Sequence, residues 1–91
     1  MPTFTMIYTR PSINVDWFQY PYDIAEHRRN LKMISHTVTE STDNLTMTRV
    51  SNFETQEDLD AFVNDPVLAS IASTRDAYDK LFNITVETSI S

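Results

Sequence analysis

HTVTESTDNLTMTRVSNFETQEDLDAF, from His36 to Phe62, decides the fold. Its first two-thirds is rich in threonine, valine and other residues that suit a pleated, half-buried surface, so strands are expected at His36–Glu40 and Leu45–Phe53. Thr42-Asp43-Asn44 between them is turn chemistry, because short polar side chains bond back to their own backbone and tolerate left-handed conformations. So short a connection makes the two strands antiparallel. The period then changes. Thr55-Gln56-Glu57-Asp58 reads as a helix start, with Thr55 as N-cap and carboxylates in the first turn facing the positive end of the helix dipole. Leu59, Phe62 and Val63 supply its apolar face.

Working outward, Thr3–Arg10 (TFTMIYTR) alternates at period two, with Phe4, Met6 and Tyr8 on one side and Thr5, Ile7 and Thr9 on the other. Pro11 ends this strand and opens a connecting loop. A helix is expected from Asp23, capped by Asp23 with Glu26 and carrying Ile24, His27, Leu31 and Ile34 on one face, to end around Met33 to Ser35. After Phe62, Asn64-Asp65-Pro66 interrupts the second helix, and Asp65 can cap a new start with Pro66 at its first position. Val67, Leu68, Ile71, Ala72, Tyr78 and Leu81 continue the apolar pattern to about Phe82, and Ile84–Ile90 alternates as a last strand.

The element order is β-α-β-β-α-β over a single domain, residues 1–91. This is the ferredoxin-like arrangement: an α+β fold with a four-stranded antiparallel sheet and its helices on one face. The other face poses a question. Ile7 and Val50 fall opposite Phe4, Met6, Tyr8 and Met47, so the sheet reads as mixed on both sides, whereas a wet face should alternate cleanly. A second copy of the chain is the economical cover, and the expected partner is itself: a homodimer through the sheet face. A domain this small buries only roughly 60–65% of its unfolded surface, which is a further reason to associate.

Composition excludes several functions. There is no cysteine, hence no thiol catalysis and no thiolate metal site. There is no glycine, hence no phosphate-cradling loop or dinucleotide fingerprint. Thirteen acidic residues against seven basic ones give a net charge of −6, which repels a nucleic-acid backbone. No apolar run approaches the ~20 residues of a membrane span, and the N-terminus lacks the pattern of a signal peptide. The expectation is a soluble cytoplasmic protein that binds neither nucleic acid nor membrane. Asn44 and Asn83 head glycosylation sequons that are read as chance.

RVSNFETQEDLDAFVNDPVLASI resembles the dimeric α+β barrel superfamily, which includes the antibiotic-biosynthesis-monooxygenase-like domains. The likeness lies in a strand, an aromatic near its end, a capped helix with Leu and Phe, and a proline break. TRDAYDKLFNITVE is similar to the same family's helix end and last strand. The resemblance implies homodimers paired sheet to sheet, with a small pocket between sheet and helices in each subunit. Some members oxidise aromatic compounds without a cofactor, some degrade haem, and others isomerise or dehydrate small molecules. Two positions depart from the enzyme members: Phe53 stands where many carry Trp, and Asp65-Pro66-Val67-Leu68 where many carry His.

Few residues offer chemistry. His27, on the apolar face of the expected first helix, points toward the sheet and is the candidate general base; a half-buried structural histidine is the plainer alternative. His36 has no identifiable acid or nucleophile beside it and reads as structural. Two histidines so spaced form no metal motif, and neither a metal nor a cofactor is expected. Tyr8, Trp17 and Arg49 are the candidate ligand-binding residues. Arg49 shares a strand face with Met47 and needs a partner. Glu40 across the hairpin is one, and a carboxylate or phenolate at a pocket mouth is another. Trp17, Phe18, Tyr20 and Tyr22 crowd the loop before the first helix and form a lid over either a pocket or the core. Two functions remain: a small dimer binding an apolar or aromatic molecule, or a cofactor-independent, monooxygenase-like enzyme using His27, Tyr8, Arg49 and the Trp17 loop.

Overall fold

The computed structural model describes residues 2–19 and 31–91. Strands β1 (Thr3–Thr9), β2 (Met33–Glu40), β3 (Thr46–Phe53) and β4 (Thr85–Ile90) form one sheet in the order β2-β3-β1-β4. β1 is central and pairs antiparallel with β3 on one side and β4 on the other, while β2 pairs antiparallel with β3. Residues 10–32 therefore join β1 to β2, which run parallel with β3 between them. Helices α1 (Gln56–Val63) and α2 (Pro66–Leu81) join β3 to β4.

Both helix starts form as their sequences dictate. The Thr55 side chain accepts the Asp58 amide at 3.1 Å, and the Asp65 carboxylate accepts the Leu68 amide at 3.0 Å with Pro66 opening α2. The β2–β3 hairpin closes without glycine. Ser41 Oγ donates to Asp43 at 2.6 Å, and the Leu45 amide donates to the same carboxylate at 3.1 Å. These two bonds hold the Asp43 carboxyl below its ordinary value. Among the described residues, Asn44 (59°) in this hairpin, Asn83 (60°) after α2, and Lys32 (64°) before β2 adopt positive φ.

Lys32 corrects one expectation. The first helix was to run from Asp23 to about Met33–Ser35; residues 20–30 lie outside the described part, but the chain is left-handed at Lys32 and β2 has begun by Met33. Pairing decides this: Met33 stands opposite Phe53, and a bulge between Met33 and Ser35 absorbs Ile34. The apolar residue that completed a helical period is the extra residue of a bulge.

The two sheet faces are less alike than alternation alone implied. Phe4, Met6 and Tyr8 share the helix-covered face with Met47, Arg49, Ser51 and Phe53. Phe53 and Leu59 are fully buried, and the Phe62 ring of α1 lies 5.1 Å from Phe53 and 5.9 Å from Phe4. A second cluster is Tyr8, Met47 and Ile84, packed against Val15, Trp17, Tyr78 and Val86. The opposite face carries Thr3, Thr5 and Thr9 of β1, Thr37 and Thr39 of β2, Thr46 and Thr48 of β3, and Thr85 of β4. Ile7 and Val50, half-buried, are its aliphatic centre. It is a threonine surface with a small apolar middle rather than a second hydrophobic face.

Backbone strain makes a prediction of two signs. Lys32→Gly relieves a left-handed lysine and should raise the unfolding free energy by about 0.5–1 kcal/mol, while Asn44→Val, a β-branched residue at positive φ, should lower it by about 1–2 kcal/mol. Urea denaturation of the two variants checks both.

Candidate functional site

Between the sheet and the two helices lies a cavity of about 320 Å³. Period two on β1 aims Phe4, Met6 and Tyr8 into it. The same parity on β3 contributes Arg49 and Ser51, and the cross-strand neighbour of Ser51 on β2 contributes His36. α2 closes it with Leu68, Ile71, Ala72 and Arg75, spaced i, i+3, i+4 and i+7 on one helical face. Phe62 and Val63 of α1 complete one end. The volume is at the small end of the range for ligand pockets, and the mix of an apolar wall with few convergent polar groups is typical of them.

The polar groups gather around Tyr8. Arg75 donates to the Tyr8 hydroxyl at 3.2 Å, and that hydroxyl donates to Met6 Sδ at 3.2 Å. The Arg75 and Arg49 guanidinium carbons lie 5.6 and 5.9 Å from the centre of the Tyr8 ring. Arg75 is held from the helix side by Asp76 at 3.1 Å and by Asp79, one turn on, at 3.9 Å. Burial pushes the Asp79 carboxyl up from its ordinary value; Arg75 pulls it down and Asp76 adds to the rise. His36 Nδ1 and Ser51 Oγ share a hydrogen bond of 3.1 Å, its donor set by the imidazole tautomer.

Tyr8 and Arg49, expected as ligand-binding residues, both line the cavity. Trp17 stands one ring behind them. It packs edge-on against Tyr8 at 6.4 Å, under the Arg10 guanidinium at 4.5 Å, and lines a small adjoining hollow with Arg49, Arg75 and Asp79. Its loop is pinned to α2, where the Tyr78 hydroxyl donates to the Asp16 carbonyl at 2.6 Å. Glu40 is not placed to serve Arg49: it stands opposite Met47 and accepts the Trp17 indole at 3.1 Å, while Val38 stands opposite Arg49. His27 lies outside the described residues. His36, read as structural for want of a partner, has Ser51 beside it and faces the cavity. Arg75 carried no role in the sequence reading, yet its signal was present: positions 75 and 79 continue the apolar stripe of α2, and a cation and an anion at i and i+4 on a buried face need a reason to be there.

The two departures from the enzyme pattern have structural duties. Phe53 is fully buried against Phe62, and Asp65 caps α2.

No family model matches the sequence, and no curated protein matches it. Compared as a structure, the chain is similar to a candidate antibiotic biosynthesis monooxygenase from Deinococcus radiodurans, with a TM-score of 0.65. The chain has the ferredoxin-like fold. The likeness spans 100% of this chain and 90% of that one at 11% identity, so it is a likeness of ferredoxin-like architecture. Within the ferredoxin-like sheet the cavity sits on the helix-covered face, and no helix among the described residues is long and apolar enough to cross a membrane.

Asp79 gives this site a pH signature. Its folded pKa is raised, so the folded chain holds the proton more tightly than the unfolded one. The stability this contributes is complete below 3.8 and is lost as pH rises through the higher folded value. Asp79→Asn should remove that fall. Urea unfolding of both proteins at several pH values above 3.8 should show the parent losing stability relative to the variant as pH rises.

Proposed function

We propose that this chain binds a small, largely apolar or aromatic molecule in the cavity between sheet and helices, and does so as a homodimer joined through the open sheet faces. The cavity carries the reading. A space of about 320 Å³ lined, among the described residues, by Phe4, Phe62, Leu68 and Ile71 has the size and the apolar wall of a small-ligand site. Partly buried arginines, a tyrosine hydroxyl and a histidine at its wall provide orientation that a merely imperfect core would not need.

Cavity filling tests this. Ala72 is half-buried on the lining, and Ala72→Leu should raise the unfolding free energy by about 0.5–1 kcal/mol while abolishing uptake of two-ring aromatic probes. If the variant still takes up the probes as the parent does, the cavity is not the site.

The homodimer rests on the threonine face. Its hydroxyls can pair across an interface while their methyl groups pack, with Ile7 and Val50 at the centre. Light scattering across a concentration series should give twice the 10.5 kDa of one chain, and Val50→Lys should reduce it to one chain without loss of probe binding. A parent chain that is a monomer at every concentration would overturn the dimer.

A second reading is a cofactor-independent oxygenase, in which a deprotonated aromatic substrate itself supplies electrons to O₂. The fold likeness to the Deinococcus radiodurans protein favours it, as does a titratable pair, His36 and Tyr8, on the cavity wall. Oxygen uptake with electron-rich phenols, lost in His36→Gln, would support this reading.

A further inference from the structure

We infer that the outer edge of β4 pairs with the same edge of a second copy of this chain, antiparallel about Thr88, so that two sheets join into one. The contact uses a different surface from the threonine face and stands whether or not that face also joins two chains.

The backbone groups at this edge come first. β4 lies at one rim of the sheet and, among the described residues, pairs with β1 alone. Thr3 and Ser91 exchange both backbone hydrogen bonds, each at 2.9 Å. Bonded and non-bonded pairs alternate along an antiparallel ladder, so Ser89, Glu87 and Thr85 also turn their amides and carbonyls toward β1. Val86, Thr88 and Ile90 turn theirs away. The result is a row of donors and acceptors at the rim, where Thr88 and Ile90 are exposed.

This edge also lacks the usual guards. Edge strands are commonly blunted by lysine, proline or a bulge. β4, TVETSI, has neither lysine nor proline, and its register with β1 runs without a shift. The other rim of the sheet, β2, carries the bulge between Met33 and Ser35, and its Glu40 accepts the Trp17 indole.

The sequence of β4 selects the partner. Outward from Thr88 it has similar residues in both directions: Glu87 and Ser89, both polar, then Val86 and Ile90, both branched and aliphatic. Antiparallel pairing about Thr88 sets Thr88 against the partner's Thr88, Val86 against the partner's Ile90 and Glu87 against the partner's Ser89. Threonine pairs and aliphatic β-branched pairs are favourable across strands, and no like charges meet. Ile90, on the helix-covered parity yet 54% exposed, gains an apolar neighbour. Outward groups must meet outward groups, which limits the neighbouring registers to two. One sets Glu87 against the partner's Glu87. The other sets Thr88 against the partner's Ile90 and separates the aliphatic pair. A single strand contact is small, so it joins chains at about millimolar concentration, above the micromolar range of a face contact.

Amide hydrogen exchange of the ¹⁵N-labelled chain, read by NMR at about 20 µM and about 1 mM, tests this. The amides of Val86, Thr88 and Ile90 should exchange about tenfold or more slowly at the higher concentration, while those of Glu87 and Ser89, already bonded to β1, should not change. Thr88→Pro removes a donor that β1 does not use and, with native circular dichroism, should abolish the effect. Ser89→Lys sets a cation against the partner's Glu87 and should move the effect to a concentration about two- to tenfold lower. Exchange at Val86, Thr88 and Ile90 that is the same at both concentrations would overturn the contact. Slowing at the outer edge of β2, at Val38 and Glu40, together with β4 would mean head-to-tail pairing and overturn the self-pairing. Ser89→Lys without effect, or weakening association, would overturn the register about Thr88.

Discussion

A slip of one residue between β1 and β3 would turn this protein inside out. The register sets Tyr8 against Met47, Met6 against Arg49 and Phe4 against Ser51. Side chains alternate strictly along a strand, so a shift by one would present threonines to the helices and the aromatic residues to the other face. β1, like β3, is paired along both edges. Its three inward residues are also the floor of the cavity. Core and candidate site are thus set by one register, and whatever protects the first protects the second.

The same register obliges the protein to bury charge. Arg49 falls on the inward parity of β3, and Arg75 and Asp79 continue the inward stripe of α2. Each is costly to desolvate, and the structure offsets the cost locally. Arg75 meets Asp76, Asp79 and the Tyr8 hydroxyl, and aromatic faces stand beside both guanidinium groups. Replacing such a set by leucine and methionine would pack a small core at least as well.

The open face is built differently. Eight threonines, Ile7 and Val50 share it with Asn52, Glu87 and Ser89, and together they make a surface that tolerates water. The chain makes its turns without glycine, using Asn44, Asn83 and Lys32 at positive φ. Side-chain bonds such as those from Ser41 and Leu45 to Asp43 hold the hairpin where glycine would serve in other chains. Strand register therefore depends on a turn whose conformation is encoded by polar side chains.

Much of this was legible in the residues themselves. Local signals determined the four strands, both caps at Thr55 and Asp65, the hairpin turn and the parity that directs Tyr8 and Arg49 inward, because each depends on residues at most a few positions apart. Period alone also placed Ile34 on a helix, although it occupies a bulge, since a lone apolar residue satisfies either period until a partner strand is specified. What only the tertiary structure decided is which parities meet. His36 faces Ser51, Glu40 turns to Trp17 instead of Arg49, and Arg75 reaches Tyr8 from 67 residues away in sequence. Those meetings depend on the pairing of β2 with β3 and on the way α2 lies across the sheet. They are long-range packing outcomes, and no local pattern of residues encodes them.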